Sequence, residues 1–215
     1  FIISHLGMSG TYKVLKKSEA QDYAILKHDH LIIDLDNYKI VYNDPRRFGY
    51  IDLTNQEPET HKFLSSLGPE PLSNYFNADN IAKTLFNKSK PIKNSLLDQN
   101  IVSGLGNIYV CEALFRSKIN PKKNCSKLVT SKGRPRKNLI LLVKKINAVI
   151  KEAIELGGSS LRDFSNISGK MGYFQSSFNV YNRENEKCLL DCCDGVIKRI
   201  VQSGRSTFFC SKCQK

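Results

Sequence analysis

Acidic residues are missing from two long stretches of this 215-residue chain: none lies between Ala113 and Lys151, and none between Val196 and Lys215. Apolar runs long enough to cross a bilayer are absent too, as is any charged and apolar leader of the secretory type. These absences predict a soluble, cytoplasmic chain with no membrane partner. Histidine occurs four times and never after His61, so the last two thirds of the sequence have no imidazole to offer a metal. An initiator methionine is also lacking, and Phe1-Ile2-Ile3 reads as the middle of a strand, which predicts that the natural N-terminus lies upstream.

What is present is positive charge. Lysine and arginine number 33 against 20 acids, a net +13. The first acid-free stretch holds twelve of the cations, from Arg116 to Lys151, and the second holds Lys198, Arg199, Arg205, Lys212 and Lys215. A merely solvated surface mixes its signs, whereas segregated positive charge fits a polyanion, and nucleic acid is the partner this predicts.

The length predicts two small domains or one with an appendage. Short β-rich runs at Tyr23–Leu26, Leu31–Ile33 and Lys39–Tyr42, with Asp36-Asn37 as a turn, predict an antiparallel sheet or sandwich up to about residue 54. Gly68-Pro69-Glu70-Pro71 predicts a linker into a helical region. There Leu139, Leu142, Val143, Ile146, Val149, Ile150 and Ala153 recur at helical spacing, predicting a helix from Lys137 to Leu156 stopped by Gly157-Gly158. A second helix opens near Asn107, with Ile108, Cys111, Leu114 and Phe115 on one face, and ends by Asn120-Pro121.

Five of the seven cysteines fall in the last 28 residues. Cys210 and Cys213 form a C-x2-C knuckle, and Cys188 with Cys193 a C-x4-C pair, although Cys192 could stand in for Cys193. Two such pairs around a hairpin-sized insert suit tetrahedral thiolate coordination, so one structural Zn2+ is predicted. The insert reads as strand 196–202, turn Ser203-Gly204 and strand 205–209, too small to fold without a staple. Cys111 and Cys125 read as a small buried residue and a loop thiol.

Taken in order, His5-Leu6-Gly7-Met8-Ser9-Gly10, Asp44-Pro45-Arg46-Arg47-Phe48-Gly49, the stretch Leu96 to Tyr109 containing Gly104-Leu105-Gly106-Asn107, and the terminal cysteine hairpin resemble formamidopyrimidine-DNA glycosylase over essentially the whole chain. The resemblance implies an α+β protein: residues 1–68 as the remainder of an N-terminal β-sandwich, 69–178 as a helix-two-turn-helix domain, and 179–215 as a four-cysteine zinc finger. It favours Cys188, Cys193, Cys210 and Cys213 as the ligands. It further implies a monomer acting on double-stranded DNA that holds an oxidised purine or an abasic site, with glycosylase and AP lyase activity.

An enzyme acting at C1′ of a stacked nucleotide must extrude the base and fill the hole. By resemblance, Met8, Arg46 and Phe48 form the wedge, the apolar pair replacing stacking and the guanidinium meeting the orphaned base. The residue-level alternative is that Met8 and Phe48 are ordinary core. Asn107, Arg205, Lys93, His5 and Arg47 are implied phosphate contacts, where Asn107 alone would otherwise read as a helix N-cap. The stretch from Gly169 to Phe174 resembles a loop that closes over the extruded base.

The family's nucleophile is an N-terminal proline followed by a glutamate acting as acid, with a lysine nearby; none of the three has a counterpart in these 215 residues. The expectation is a polypeptide that binds DNA without cutting it. Two other readings are an endonuclease VIII type enzyme for oxidised pyrimidines and a non-catalytic zinc-ribbon protein.

Overall fold

A computed structural model describes residues 1–159 and 172–215, which fall into two compact units, one built from 1–65 with 159–172 and the other from 66–158 with 173–215. Each is described by itself.

In the first unit, β1 (Ile2–His5) pairs antiparallel with β5 (Tyr50–Leu53), setting His5 opposite Tyr50. A second sheet runs β2 (Thr11–Lys16), β4 (Tyr38–Asn43), β3 (Asp29–Asp34), with β4 central and antiparallel to both neighbours. Its central position explains why Val41 and Tyr42 are buried, since a middle strand is flanked on both sides. Ile2, Ile51 and Leu53 of one sheet and Leu31, Ile33 and Tyr42 of the other line a shared cavity of about 680 Å³. The remainder of a sandwich is therefore what the two sheets form.

One expected strand is absent. Tyr23–Leu26 is a loop, and Ile25 and Leu26 are exposed. Asp29 captures it instead, its Oδ2 accepting from the Leu26 N–H at 2.7 Å and the Tyr23 hydroxyl at 2.9 Å, so the backbone turns rather than extends. The strand that pairs with β4 on the side away from β3 is β2, whose sequence Thr-Tyr-Lys-Val-Leu-Lys mixes polar and apolar residues at the edge of the sheet.

The second unit is helical with a terminal hairpin: α1 (Ala78–Leu85), α2 (Ile92–Leu96), α3 (Asn107–Arg116), α4 (Lys137–Glu155), then β6 (Ile197–Gln202) and β7 (Arg205–Cys210). On α4 the side chains of Leu139, Leu142, Val143, Ile146, Val149 and Ala153 are buried, the stripe expected from the periodicity. It ends where expected, with the Gly158 N–H bonded to the Ala153 carbonyl at 2.8 Å. α3 stops at Arg116, earlier than the sequence predicts, because Ser117 Oγ turns back to the Ala113 carbonyl at 2.7 Å and Lys118 takes positive φ.

α3 belongs to two cores. Val110, Ala113 and Leu114 join the interhelical core with α1, α2 and α4, whereas Cys111 and Phe115 pack with Ile197, Phe208 and Cys210 of the hairpin. The small terminal unit thus borrows a helix face for the core it cannot build alone.

Candidate metal centre and nucleic-acid interface

Cys188 and Cys193 come from the loop before β6, Cys210 from the end of β7 and Cys213 from the turn after it, and their four sulfurs lie within 4.8 Å of one another. Cys188 and Cys213 are 3.8 Å apart at sulfur, as are Cys193 and Cys210. A tetrahedron with Zn–S bonds of about 2.3 Å has edges of about 3.8 Å, so the four thiols fit one structural Zn2+. Cys192 is exposed and outside the cluster, which settles the choice in favour of Cys193. The turn is close enough that a Cβ on Gly195 would stand 2.5 Å from the Cys210 sulfur, so no larger residue fits there.

Two ties fasten this centre to the helices. The Gln214 side chain, buried, accepts from the Cys210 N–H at 2.9 Å and donates to the Ile119 carbonyl at 2.8 Å. The Glu112 carboxylate, wholly buried in α3, accepts from the backbone N–H groups of Asn179, Val180 and Tyr181 and from the Asn179 amide.

Along the seam between hairpin and helices sit three of the residues expected to touch phosphate. The Lys93 side chain, on α2, is fully buried and its Nζ lies 3.4 Å from the Ser206 carbonyl. That same carbonyl accepts from Asn107 Nδ2 at 2.9 Å. Arg205, beside Ser206 at the start of β7, follows the Ser203-Gly204 turn, where both residues have positive φ, as a tight hairpin requires. Burial pushes the Lys93 ammonium below its usual 10.5; Cys111 opposes that shift and Arg205 adds to it. Lys93 has no carboxylate in salt-bridge range among the described residues. Asn107 is the first residue of α3 and Gly106 the N-cap, so the capping alternative is set aside. Gln99 shapes the turn before it, its Oε1 accepting from the Gly104 N–H at 2.8 Å.

The other expected residues lie in the first unit. Met8 and Phe48 are 62% and 59% exposed, which makes them loop tips rather than core. The Arg46 guanidinium lies over the Phe48 ring, 4.8 Å from its centroid. His5 stacks on Tyr50, with ring centroids 5.5 Å apart, and its Nδ1 accepts from the Gly7 N–H at 3.0 Å. Arg47 has positive φ and lines the cavity between the two sheets. Of the stretch Gly169 to Phe174, residues 169–171 lie outside the described residues; Tyr173 is exposed and Phe174 buried.

Three family models match the chain: the formamidopyrimidine-DNA glycosylase N-terminal domain over residues 1–51, the formamidopyrimidine-DNA glycosylase H2TH domain over 67–165, and the zinc finger found in FPG and IleRS over 185–215. The formamidopyrimidine-DNA glycosylase of Bradyrhizobium sp. strain ORS 278 is 47% identical over 224 residues, covering all of this chain and 76% of that protein. The chain belongs to the formamidopyrimidine-DNA glycosylase family. The Agrobacterium fabrum glycosylase is 45% identical over 229 residues, with 100% and 77% covered. A structure of the Lactococcus lactis Fpg with DNA containing an abasic site superposes at a TM-score of 0.83, 36% identical, covering 100% of this chain and 74% of that one. MutM in complex with DNA containing carbocyclic 8-oxo-G gives 0.82 at 35% identity, with 100% and 74% covered. The expected family, its α+β fold and its zinc finger are thereby borne out, and the protein is a DNA repair glycosylase. Among the described residues no helix is long and apolar enough to cross a membrane.

Sequence reasoning missed the roles of Ser206, Gln99 and Glu112. Ser206 acts through its backbone, which leaves no mark in the sequence. Glu112 carries a faint one, as a lone acid among the apolar residues of α3.

Proposed function

We propose that this glycosylase engages, as a monomer, duplex DNA carrying an oxidised purine such as 8-oxoguanine or a formamidopyrimidine, or an abasic site. The observation that carries the reading is Lys93, a fully buried ammonium without a carboxylate partner among the described residues, held on the carbonyl that also holds Asn107. A buried cation is costly unless an anion meets it, and a backbone phosphate is the anion that basic DNA-binding surfaces are built for. Arg205 and the start of α3 complete that grip. Met8 and Phe48 fill the space of the extruded base, Arg46 meets the base opposite, and His5 and Arg47 add backbone contacts.

Excision proceeds through attack on C1′ and a Schiff base, with strand cleavage following. None of these 215 residues is assigned the nucleophile, so a polypeptide of these residues alone holds the DNA without cutting it. All seven cysteines are free of disulfides, in keeping with a reducing compartment such as the cytoplasm.

The test is a binding panel of duplexes containing 8-oxoguanine, formamidopyrimidine, tetrahydrofuran, an oxidised pyrimidine or no lesion, with borohydride trapping in parallel. Tighter binding to the purine lesions and the tetrahydrofuran site, without a trapped adduct from the 215 residues, is expected. Equal affinity for intact duplex rules the reading out, preference for the pyrimidine lesion moves it to the endonuclease VIII type, and a trapped adduct removes the claim about cleavage.

A further inference from the structure

The loops that carry Met8 and Phe48 touch through their backbones. Gly7 has φ +62°, and a Cβ there would stand 2.6 Å from the Phe48 carbonyl carbon and 2.7 Å from the Gly49 nitrogen. A carboxylate lies at their joint. Asp44 is 1% exposed, and its Oδ1 accepts from Ser9 Oγ at 2.6 Å, while that hydroxyl oxygen accepts from the Arg46 N–H at 3.2 Å. Its Oδ2 accepts from the Gly49 N–H at 2.9 Å and the Tyr42 hydroxyl at 3.1 Å. One acid therefore holds the residue after Met8, the residue after Phe48 and, through Ser9, the amide of Arg46.

No salt bridge to Asp44 occurs among the described residues, so hydrogen bonds stabilise its charge, and these come from both loops and from Tyr42 of β4. Burying a carboxylate this way is costly if all that is needed is a turn, because an Asp before Pro satisfies a turn while facing water. The arrangement has a different consequence. Two apolar tips inserted together into a base stack work as one wedge only if their spacing is fixed beforehand; otherwise each insertion must first order the loops.

We propose that Asp44 is a positioning residue for base extrusion, locking the Met8 loop and the Arg46–Phe48 loop into one wedge through Ser9 and Gly49. This rests on the wedge reading given under the proposed function. The hydrogen bonds hold the Asp44 carboxyl down at about 2, Ser9 contributing most and Gly49 next, so the acceptor is charged wherever the protein is folded and working.

The experiment compares wild type, Asp44→Asn, Ser9→Ala, Ser9→Thr and Met8→Ala. Each is assayed for the ratio of affinities for tetrahydrofuran-containing over intact duplex, and for the fluorescence of a 2-aminopurine beside the site, which reports local unstacking. Asp44→Asn and Ser9→Ala should each lower the ratio about tenfold and cut the fluorescence, and Ser9→Thr, which keeps the hydroxyl, should restore both. Full ratio and signal in Asp44→Asn and Ser9→Ala, with both lost in Met8→Ala, overturns the positioning role and leaves the wedge standing. Equal losses on both duplexes also overturn it, since they mark a general loss of fold. If Met8→Ala itself keeps ratio and signal, the wedge reading fails and takes the proposal with it. Ser9→Ala removes a single hydroxyl at a half-buried surface position, so it provides a folded variant if Asp44→Asn does not.

Discussion

The Glu112 carboxylate takes the backbone N–H of Val180 at 2.9 Å, joining the middle of α3 to the chain that leads into the zinc hairpin. Truncating Glu112 to Ala strands several buried donors at once. A loss of about 3 kcal/mol in unfolding free energy is expected, and urea denaturation of the variant measures it. Glu112→Gln, which keeps one acceptor oxygen, should lose less.

The four-sulfur cluster predicts one zinc per chain, released together with the hairpin's structure. Chelation should lower DNA affinity and expose Phe208, and metal analysis with binding assays before and after chelation checks both. Cys213→Ala should fail to retain zinc. Cys192→Ala should retain it fully; the reverse pattern would mean the ligand set is misassigned.

Replacing Asn107 or Arg205 by Ala should weaken binding about tenfold on every sequence, because the contacts proposed for them are to phosphate rather than to base edges. The logarithmic dependence of affinity on salt should also become shallower by about one unit for Arg205→Ala. Anisotropy titrations at several salt concentrations supply both quantities. A loss confined to lesion-containing duplex would contradict the assignment.

Lys93 has a pH signature. Its folded-state pKa lies below 10.5, so the charged side chain costs stability at all pH below that lowered value, and the cost is relieved as pH rises toward 10.5. A bound phosphate favours the charged form, so binding takes up a proton on the alkaline side. DNA affinity should therefore fall as pH is raised through the lowered pKa, and Lys93→Met should bind more weakly and flatten that fall. Affinity of the wild type that does not change over this range would remove Lys93 from the interface.

Asp44 acts at the other end of the scale. Its carboxyl is lowered from 3.8 to about 2 in the fold, so the stability it contributes is present above 3.8 and is lost as pH falls from 3.8 toward 2. Acid titration of the first unit followed by tyrosine signals should show a shallower stability loss across this window in Asp44→Asn than in wild type.

How much of this could be read from residues alone depends on whether a side chain or the backbone does the work. The cysteine spacing pointed to a four-thiolate site because coordination is a property of side chains, although it left Cys192 and Cys193 as alternatives, and the apolar stripe of α4 specified its buried face for the same reason. The exposure of Met8 and Phe48 accords with the wedge that the resemblance implies and not with the core alternative. Tyr23–Leu26 misled because β propensity needs a partner strand, and the Asp29 carboxylate takes the Leu26 N–H that a ladder would have used. Lys93 was legible as a cation but not as a buried one, since the carbonyl it meets belongs to Ser206, 113 positions away. The hub at Asp44 was hidden in the same way, its partner Ser9 lying 35 positions earlier.

The Ser206 carbonyl has one further consequence. With Lys93 and Asn107 both resting on it, each side chain proposed to meet phosphate already has one of its donors on an oxygen. If these two side chains meet phosphate as proposed, docking on a duplex swaps one oxygen for another at those donors, and the enthalpy released there is modest. Such a grip is suited to quick release from intact stretches, so that a search along the helix is not held up at every step.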